Sequence, residues 1–377
     1  MIKSQRRYDI DMWRVIAILA VYLHHIGMPF NGDNFHIMNA DSSKLLDDIM
    51  VFFEQFRLPM LFLISGAGTV YAFSKRTWIQ FVGERAYRLL IPLIFGMFVI
   101  VPPQTYFENI IEFRSYSDFY FKILENIEVN HLWFIENLFY ISILTIPIII
   151  FFRSIKSNKI RHWIANFTSN RFGIFLWVIP LIIIKIISKN YFPDDSKDIL
   201  NLSSTLFYGY FFVAGILMTT APMLWESLKN YRRFNLKMTI VSVLIFYAYY
   251  FLPNEIASQY FTIEARWDIW YGVSAFVSWS LITTLLGYGQ IWFNKKSEIL
   301  RKANEAIYPF YVLHQTVIIV LAYYVVQMDA SILVKIGLLL FSSFPIIILV
   351  YRFLIYPFRI PRFLFGMKKN SSSKLKK

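Results

Sequence analysis

Arg14 and His25 lie eleven residues apart in an otherwise largely apolar run. Eleven residues make three turns of α-helix, so the two side chains share a face about 16 Å apart along the axis. His24 points about 100° away from them. Imidazole changes charge near neutral pH and serves as a general base or acid. Glu54 and Arg57 follow at i,i+3 spacing, close enough to pair on one helix face. His131, Trp133 and Glu136 crowd the start of a later apolar run, Trp267 and Asp268 open another, and Asn304, Glu305, Tyr308 and His314 mark a third. Arg85 and Arg88 form a further i,i+3 pair at a helix start, and guanidinium suits bidentate phosphate contacts. Each group also has a plainer reading. A histidine can bond a neighbouring helix, Glu54 and Arg57 can be a structural ion pair, Trp133 can anchor at the interface, and the arginines can anchor at the inner leaflet.

The elements that must hold these residues are apolar. Of 377 residues, 57% are hydrophobic and 16% charged, against roughly 25% charged in a soluble domain. Runs of about 20 apolar residues cross a bilayer. Such runs fall near 12–30, 51–73, 87–103, 131–152, 172–188, 204–221, 238–253, 267–286, 306–327 and 333–354, the seventh being the shortest. The fold class expected is therefore an all-α polytopic membrane protein with about ten transmembrane helices. Lys and Arg concentrate in alternate loops, such as Lys75, Arg76, Arg153, Lys156, Arg232 and Arg233, while Asp33, Asp41, Glu108, Glu112 and Asp194 fill the others. The positive-inside rule then places both termini in the cytoplasm and the chain in the cytoplasmic membrane. The net charge of +14 belongs to this pattern rather than to a basic face for nucleic acid. No cysteine is present, which excludes disulfides and thiolate metal sites, and no metal site is expected. Residues 1–355 read as one transmembrane domain. Residues 356–377 read as a basic, disordered cytoplasmic tail, and its Ser-rich end from Lys368 can touch anionic lipid. Lys185 and Lys335 lie near outer ends and read as snorkelling side chains.

Ionisable groups at membrane depth cost about 2.5–3.5 kcal/mol each on insertion scales, and they persist when paired or lining a cavity. His25, Glu54, Arg57, His131, Glu136 and Asp268 all fall in the outer half of this topology. If they converge they form a polar pocket, with His314 as its deeper wall. Arg14, Arg85 and Arg88 form the inner group.

At these residues the sequence resembles the integral-membrane acyltransferase 3 family, nearest the branch that includes the glucan-biosynthesis succinyl transferases. The resemblance covers about residues 8–355 and is carried by five features. They are Arg14 with His25, the stretch Pro59 to Ser65-Gly66, Arg85 and Arg88 followed by Pro92, His131-Leu132-Trp133-Phe134, and Tyr308, Tyr311 and His314. The family pattern selects His25 over His24. The resemblance implies O-acyl transfer from a cytoplasmic acyl-CoA, acetyl-CoA or succinyl-CoA, to a hydroxyl of an extracytoplasmic glycan, with no bound cofactor. It implies His25 as the catalytic residue and the inner arginines, Arg14, Arg85 and Arg88, as handlers of the donor. Acyl transfer needs a base for the hydroxyl and stabilisation of an oxyanion. His25 is expected as that base, Glu54 or Glu136 as the carboxylate orienting it, and Arg57 or His131 as stabilisers of negative charge. Trp133, Asp268 and His314 are expected to contact substrate, with polysaccharide-synthesis proteins and membrane lipid as further partners. The alternative class is an ion-coupled transporter or flippase for a solute or polysaccharide, because it too keeps charges at membrane depth.

Overall fold

The computed structural model describes residues 6–123, 127–194 and 196–368, and these are helical with no strand among them. Eight helices are long and apolar enough to cross a membrane, and two bent pairs bring the number to ten when each counts as one span. The spans are Tyr8–Asn31, Lys44–Phe73, Trp78–Glu108, Asn130–Leu144 with Ile146–Arg153, Gly173–Tyr191, Leu202–Thr220, Arg232–Tyr250 with Asn254–Tyr260, Ile263–Trp292, Glu298–Val325 and Ile332–Ile355. Each overlaps one expected run. The fourth bends by 48° where Pro147 has no N–H for the Ile143 carbonyl. The seventh turns by 97° at Pro253. That break explains why its apolar run reads short.

The chain clusters into two compact units. The first comprises Met1–Ala17, Glu54–Trp78 and Tyr140–Ser297, and the second Ile18–Phe53, Ile79–Phe139 and Glu298–Lys377. In the first unit, spans two and six meet through glycine. A Cβ at Gly66 would lie 1.9 Å from the Phe212 carbonyl oxygen, and one at Gly215 would lie 2.0 Å from that of Leu63. Two backbones this close leave room only for hydrogen, which is the small-residue contact that apolar membrane helices use. Spans seven and eight join by hydroxyls, Thr239 to Thr284 at 2.8 Å and Ser242 to Ser280 at 2.7 Å. Lys185, read as snorkelling, bonds Ser274 Oγ at 2.7 Å.

In the second unit, the Tyr22 hydroxyl of span one lies 2.7 Å from Ser343 Oγ of span ten. Lys335 does not snorkel. It is 6% exposed, and its ammonium donates to Asn39 Oδ1 at 2.7 Å and to the Val326 carbonyl at 2.9 Å. The disorder expected from residue 356 does not begin there. Arg359–Leu364 is helical, the Tyr87 hydroxyl donates to the Met367 carbonyl at 2.8 Å, and Arg362 donates to Glu305 at 3.3 Å. Gly366 adopts φ +60°, and a Cβ there would lie 2.6 Å from the Arg88 carbonyl oxygen. These contacts tie the segment to the third and ninth spans. The remainder of the expected tail, 369–377, lies outside the described residues.

Candidate active site

Three histidines from three spans meet in the second unit. The His25 ring centre lies 5.1 Å from that of His314, and His314 lies 5.5 Å from His131. His25 is half-buried, whereas His131 is 4% exposed and His314 1%. The helices bring them together for local reasons. His25 sits near the end of span one. His131 sits in a tight turn that opens span four, directly after Asn130 at φ +47°. Asparagine is among the few residues that tolerate this left-handed conformation. The Asn130 side-chain oxygen accepts from the His131 backbone N–H at 2.7 Å, which fixes where the imidazole starts.

Hydrogen bonding sets the tautomers. A carbonyl oxygen only accepts, so the 3.1 Å contact between His131 Nε2 and the Val312 carbonyl puts the proton on Nε2. His131 Nδ1 is then the acceptor for the Gln104 side-chain amide at 3.2 Å. Both nitrogens of the neutral ring are engaged. His314 is the opposite case. Its Nδ1 donates to the Tyr311 carbonyl one turn back, which leaves the lone pair on Nε2. That nitrogen is buried and has no hydrogen-bond partner among the described residues. Tyr311 also donates its hydroxyl to the His131 carbonyl, so spans four and nine are locked at the histidines.

An amide network surrounds this group. Gln104 also donates to Thr316 Oγ1 at 2.6 Å, and Thr316 donates to the Ile100 carbonyl at 2.7 Å. The Gln315 amide nitrogen lies 2.8 Å from Asn130 Oδ1 and 3.2 Å from both Gln104 Oε1 and His36 Nε2. Its two protons serve two of these three acceptors. His36 Nδ1 donates to Glu108 at 2.6 Å. Gln315 is 2% exposed, and its Oε1 has no partner among the described residues. Two buried acceptors on consecutive residues, His314 Nε2 and Gln315 Oε1, can therefore receive O–H or N–H donors. No group of His, Asp and Glu among the described residues is arranged to hold a metal ion.

The other expected residues divide between the units. Trp133 and Glu136 are half-buried in the first turn of the helix that follows His131. Glu54 and Arg57 belong to the first unit and pair there, Arg57 Nη2 to Glu54 Oε1 at 3.2 Å. Arg57 is 4% exposed, and its Nε and Nη1 have no hydrogen-bond partner among the described residues. Asp268 also lies in the first unit, half-buried near the start of span eight. Arg14, in the first unit, pairs with Asp11 at 3.3 Å. Arg85 lies over the Phe81 ring at 4.9 Å, and Arg88 pairs with Glu84 at 3.1 Å. Arg88 falls in a wide turn, where the Ile91 N–H bonds the Ala86 carbonyl five residues back, and a second such turn closes from Val101 to Gly96. Wide turns of this kind often mark functional positions.

Sequence reasoning missed His36, Gln104, Glu108, Asn130 and Gln315. Gln104, Asn130 and Gln315 are amides and carry no charge to mark their depth, while His36 and Glu108 lie outside the expected apolar runs. The available signal for Gln104 was Pro102-Pro103 just before it, since proline opens a helix and sets where the next side chains point.

A membrane protein whose spans enclose a buried imidazole group is the class defined here. The chain matches the acyltransferase 3 family, described as an acyltransferase domain, over residues 7–352, and it belongs to that family. It is a multi-pass membrane acyltransferase by that membership. It is similar to Glucans biosynthesis protein C of Escherichia coli strain K12, 26% identical over 265 residues, or 66% of this chain and 66% of that one. Glucans biosynthesis protein C of Escherichia coli O9:H4 strain HS is 25% identical over the same shares. The match thus spans just under two thirds of these relatives' own length. No solved structure matches the chain.

Proposed function

We propose that the protein transfers an acetyl or succinyl group from a cytoplasmic acyl-CoA to a hydroxyl of an extracytoplasmic glycan, across the cytoplasmic membrane, with both termini inside. The observation that carries this reading is the imidazole group of His25, His131 and His314, with an acceptor nitrogen left open, in a chain of the acyltransferase 3 family. The name of the similar Escherichia coli proteins, Glucans biosynthesis protein C, favours a glucan as the acceptor.

His25, the half-buried member, is the base that takes the hydroxyl proton. The hydroxyl oxygen bonds the thioester carbonyl carbon, the C–S bond breaks, and the leaving sulfur takes the proton from His25. His131, with both nitrogens engaged, holds spans four and nine in place beside it. Trp133 and Glu136 on the same span contribute to substrate contact and charge compensation. Arg85 and Arg88 receive the phosphates of the donor. From Arg88 to Gln104 the third span runs 16 residues, about 24 Å at helical rise. An acyl-CoA carries its phosphates and its thioester at opposite ends of a long arm, which suits that separation.

The test is transfer of radiolabel. Purified protein in liposomes is given labelled acetyl-CoA or succinyl-CoA on the Arg85 side and a glucan on the other. Covalent label on the glucan, lost in His25→Ala, is the expected result. A His25→Ala protein that folds, inserts and transfers label at the full rate sinks the assignment of the site. Glucan that crosses sealed vesicles unmodified sinks the enzymatic reading.

A further inference from the structure

A catalytic imidazole needs a partner to hold its ring and choose which nitrogen carries the lone pair. The sequence pointed to a carboxylate, Glu54 or Glu136, for that task. The structure places another ring beside it. His314 is buried, its Nδ1 proton is committed to the Tyr311 carbonyl, and its Nε2 lone pair is open. Its ring centre lies 5.1 Å from that of His25. Two imidazoles joined by one N–H···N bond have centres about 5 Å apart, taking about 2.9 Å between nitrogens and about 1.1 Å from each nitrogen to its ring centre. The spacing therefore leaves room for one hydrogen bond and no intervening group. The ring torsion of histidine is broad, so a bond can form within this spacing without moving the helices.

We propose that His314 is the positioning residue for His25. A His25 ring N–H donates to His314 Nε2, so the other His25 nitrogen carries the lone pair that meets the acceptor hydroxyl. The line runs from the Tyr311 carbonyl through Nδ1–H and Nε2 of His314 to His25. The task commonly given to an aspartate falls here to a neutral ring whose tautomer is set by a helix carbonyl. A neutral partner suits a site inside apolar spans, where a second charge is costly. The inference rests on His25 being the reacting imidazole of the proposed acyl transfer.

Two substitutions separate positioning from packing. His314→Asn keeps an N–H near the Nδ1 position, so the bond to Tyr311 survives, but it has nothing at Nε2. His314→Gln places an amide oxygen near Nε2 and gives up the Tyr311 bond. Positioning predicts that H314N loses about 10²-fold in kcat or more, with KM for acetyl-CoA or succinyl-CoA unchanged, and that H314Q keeps a kcat about tenfold above H314N. A merely structural His314 predicts the reverse order, and that order overturns the proposal, as does an H314N enzyme with wild-type kcat. Full activity in His25→Ala overturns the underlying reading instead, so the two failures are distinguishable. Should neither His314 variant fold, ring-15N-histidine spectra of the wild-type protein decide. An N–H···N coupling between two imidazoles, lost in His25→Ala, supports the bond, and its absence overturns it.

Discussion

His131→Leu separates the histidine that holds from the histidine that reacts. The substitution removes two neutral hydrogen bonds, Nε2–H to the Val312 carbonyl at 3.1 Å and the Gln104 amide to Nδ1 at 3.2 Å. A neutral hydrogen bond contributes about 0.5–1.5 kcal/mol net, and side-chain bonds between membrane helices average about 0.6 kcal/mol. Gln104 keeps its 2.6 Å bond to Thr316 through one amide proton, but its other N–H loses its acceptor within a fully buried side chain, which costs about 1–3 kcal/mol. The Tyr311 hydroxyl still has the carbonyl of residue 131. The expected loss is therefore about 2–4 kcal/mol of stability. Because both nitrogens of His131 are already engaged, its removal costs less than about tenfold in kcat, whereas His25→Ala costs about 10³-fold. Unfolding in detergent measures the first quantity and single-turnover transfer of labelled acyl-CoA the second. A folded His131→Leu protein as inactive as His25→Ala would refute the reasoning and place His131 in the chemistry. The double variant with Gln104→Leu should lose less than the sum of the two single variants, since both single losses include the shared bond.

Gly66→Ala should destabilise by about 3 kcal/mol, because the added methyl meets the Phe212 backbone carbonyl rather than a side chain able to turn away; a variant that purifies with an unchanged unfolding midpoint contradicts the close contact. Lys335→Met should weaken the tie between 32–43 and 326–331, with about 1–3 kcal/mol lost, read as faster proteolysis of the 32–43 segment while transfer persists. Deleting 359–377 removes the contacts to Tyr87, Arg88 and Glu305, and should raise KM for acyl-CoA more than it lowers kcat. An unaltered KM would show that the C-terminal helix does not support the donor end.

Ten apolar runs were legible because bilayer thickness demands a fixed length of apolar helix, and even the seventh, broken before Pro253, kept its place in the count. His25, His131 and His314 were legible as costly groups at membrane depth, and the structure brings those three together. Depth does not specify lateral position. Glu54, Arg57 and Asp268 share the expected depth with His25, yet they belong to the other compact unit. Arg57 finds Glu54 one turn away, as i,i+3 spacing predicts. Lys335 read as snorkelling because a long stem near a helix end usually reaches water. Its partner is Asn39, nearly 300 residues away in the chain, and no periodicity reports such a pairing. The C-terminal helix was missed because its basic residues read as solvated charge, whereas Arg362 is buried against Glu305.

The ninth span shows why the same few residues serve both packing and chemistry. Pro309 inside it has no N–H to give the Glu305 carbonyl, which loosens the helix one turn before the histidines. Just beyond, the Tyr311 carbonyl takes His314 Nδ1–H and the Val312 carbonyl takes His131 Nε2–H. Adjacent backbone acceptors thus assign opposite tautomers to two neighbouring rings. In His131 the remaining nitrogen is consumed by Gln104, while in His314 it stays open beside His25. A substitution that redirects either carbonyl would alter which nitrogen is protonated without touching an imidazole. The choice of reactive nitrogen is therefore a property of the helix backbone as much as of the histidines it holds.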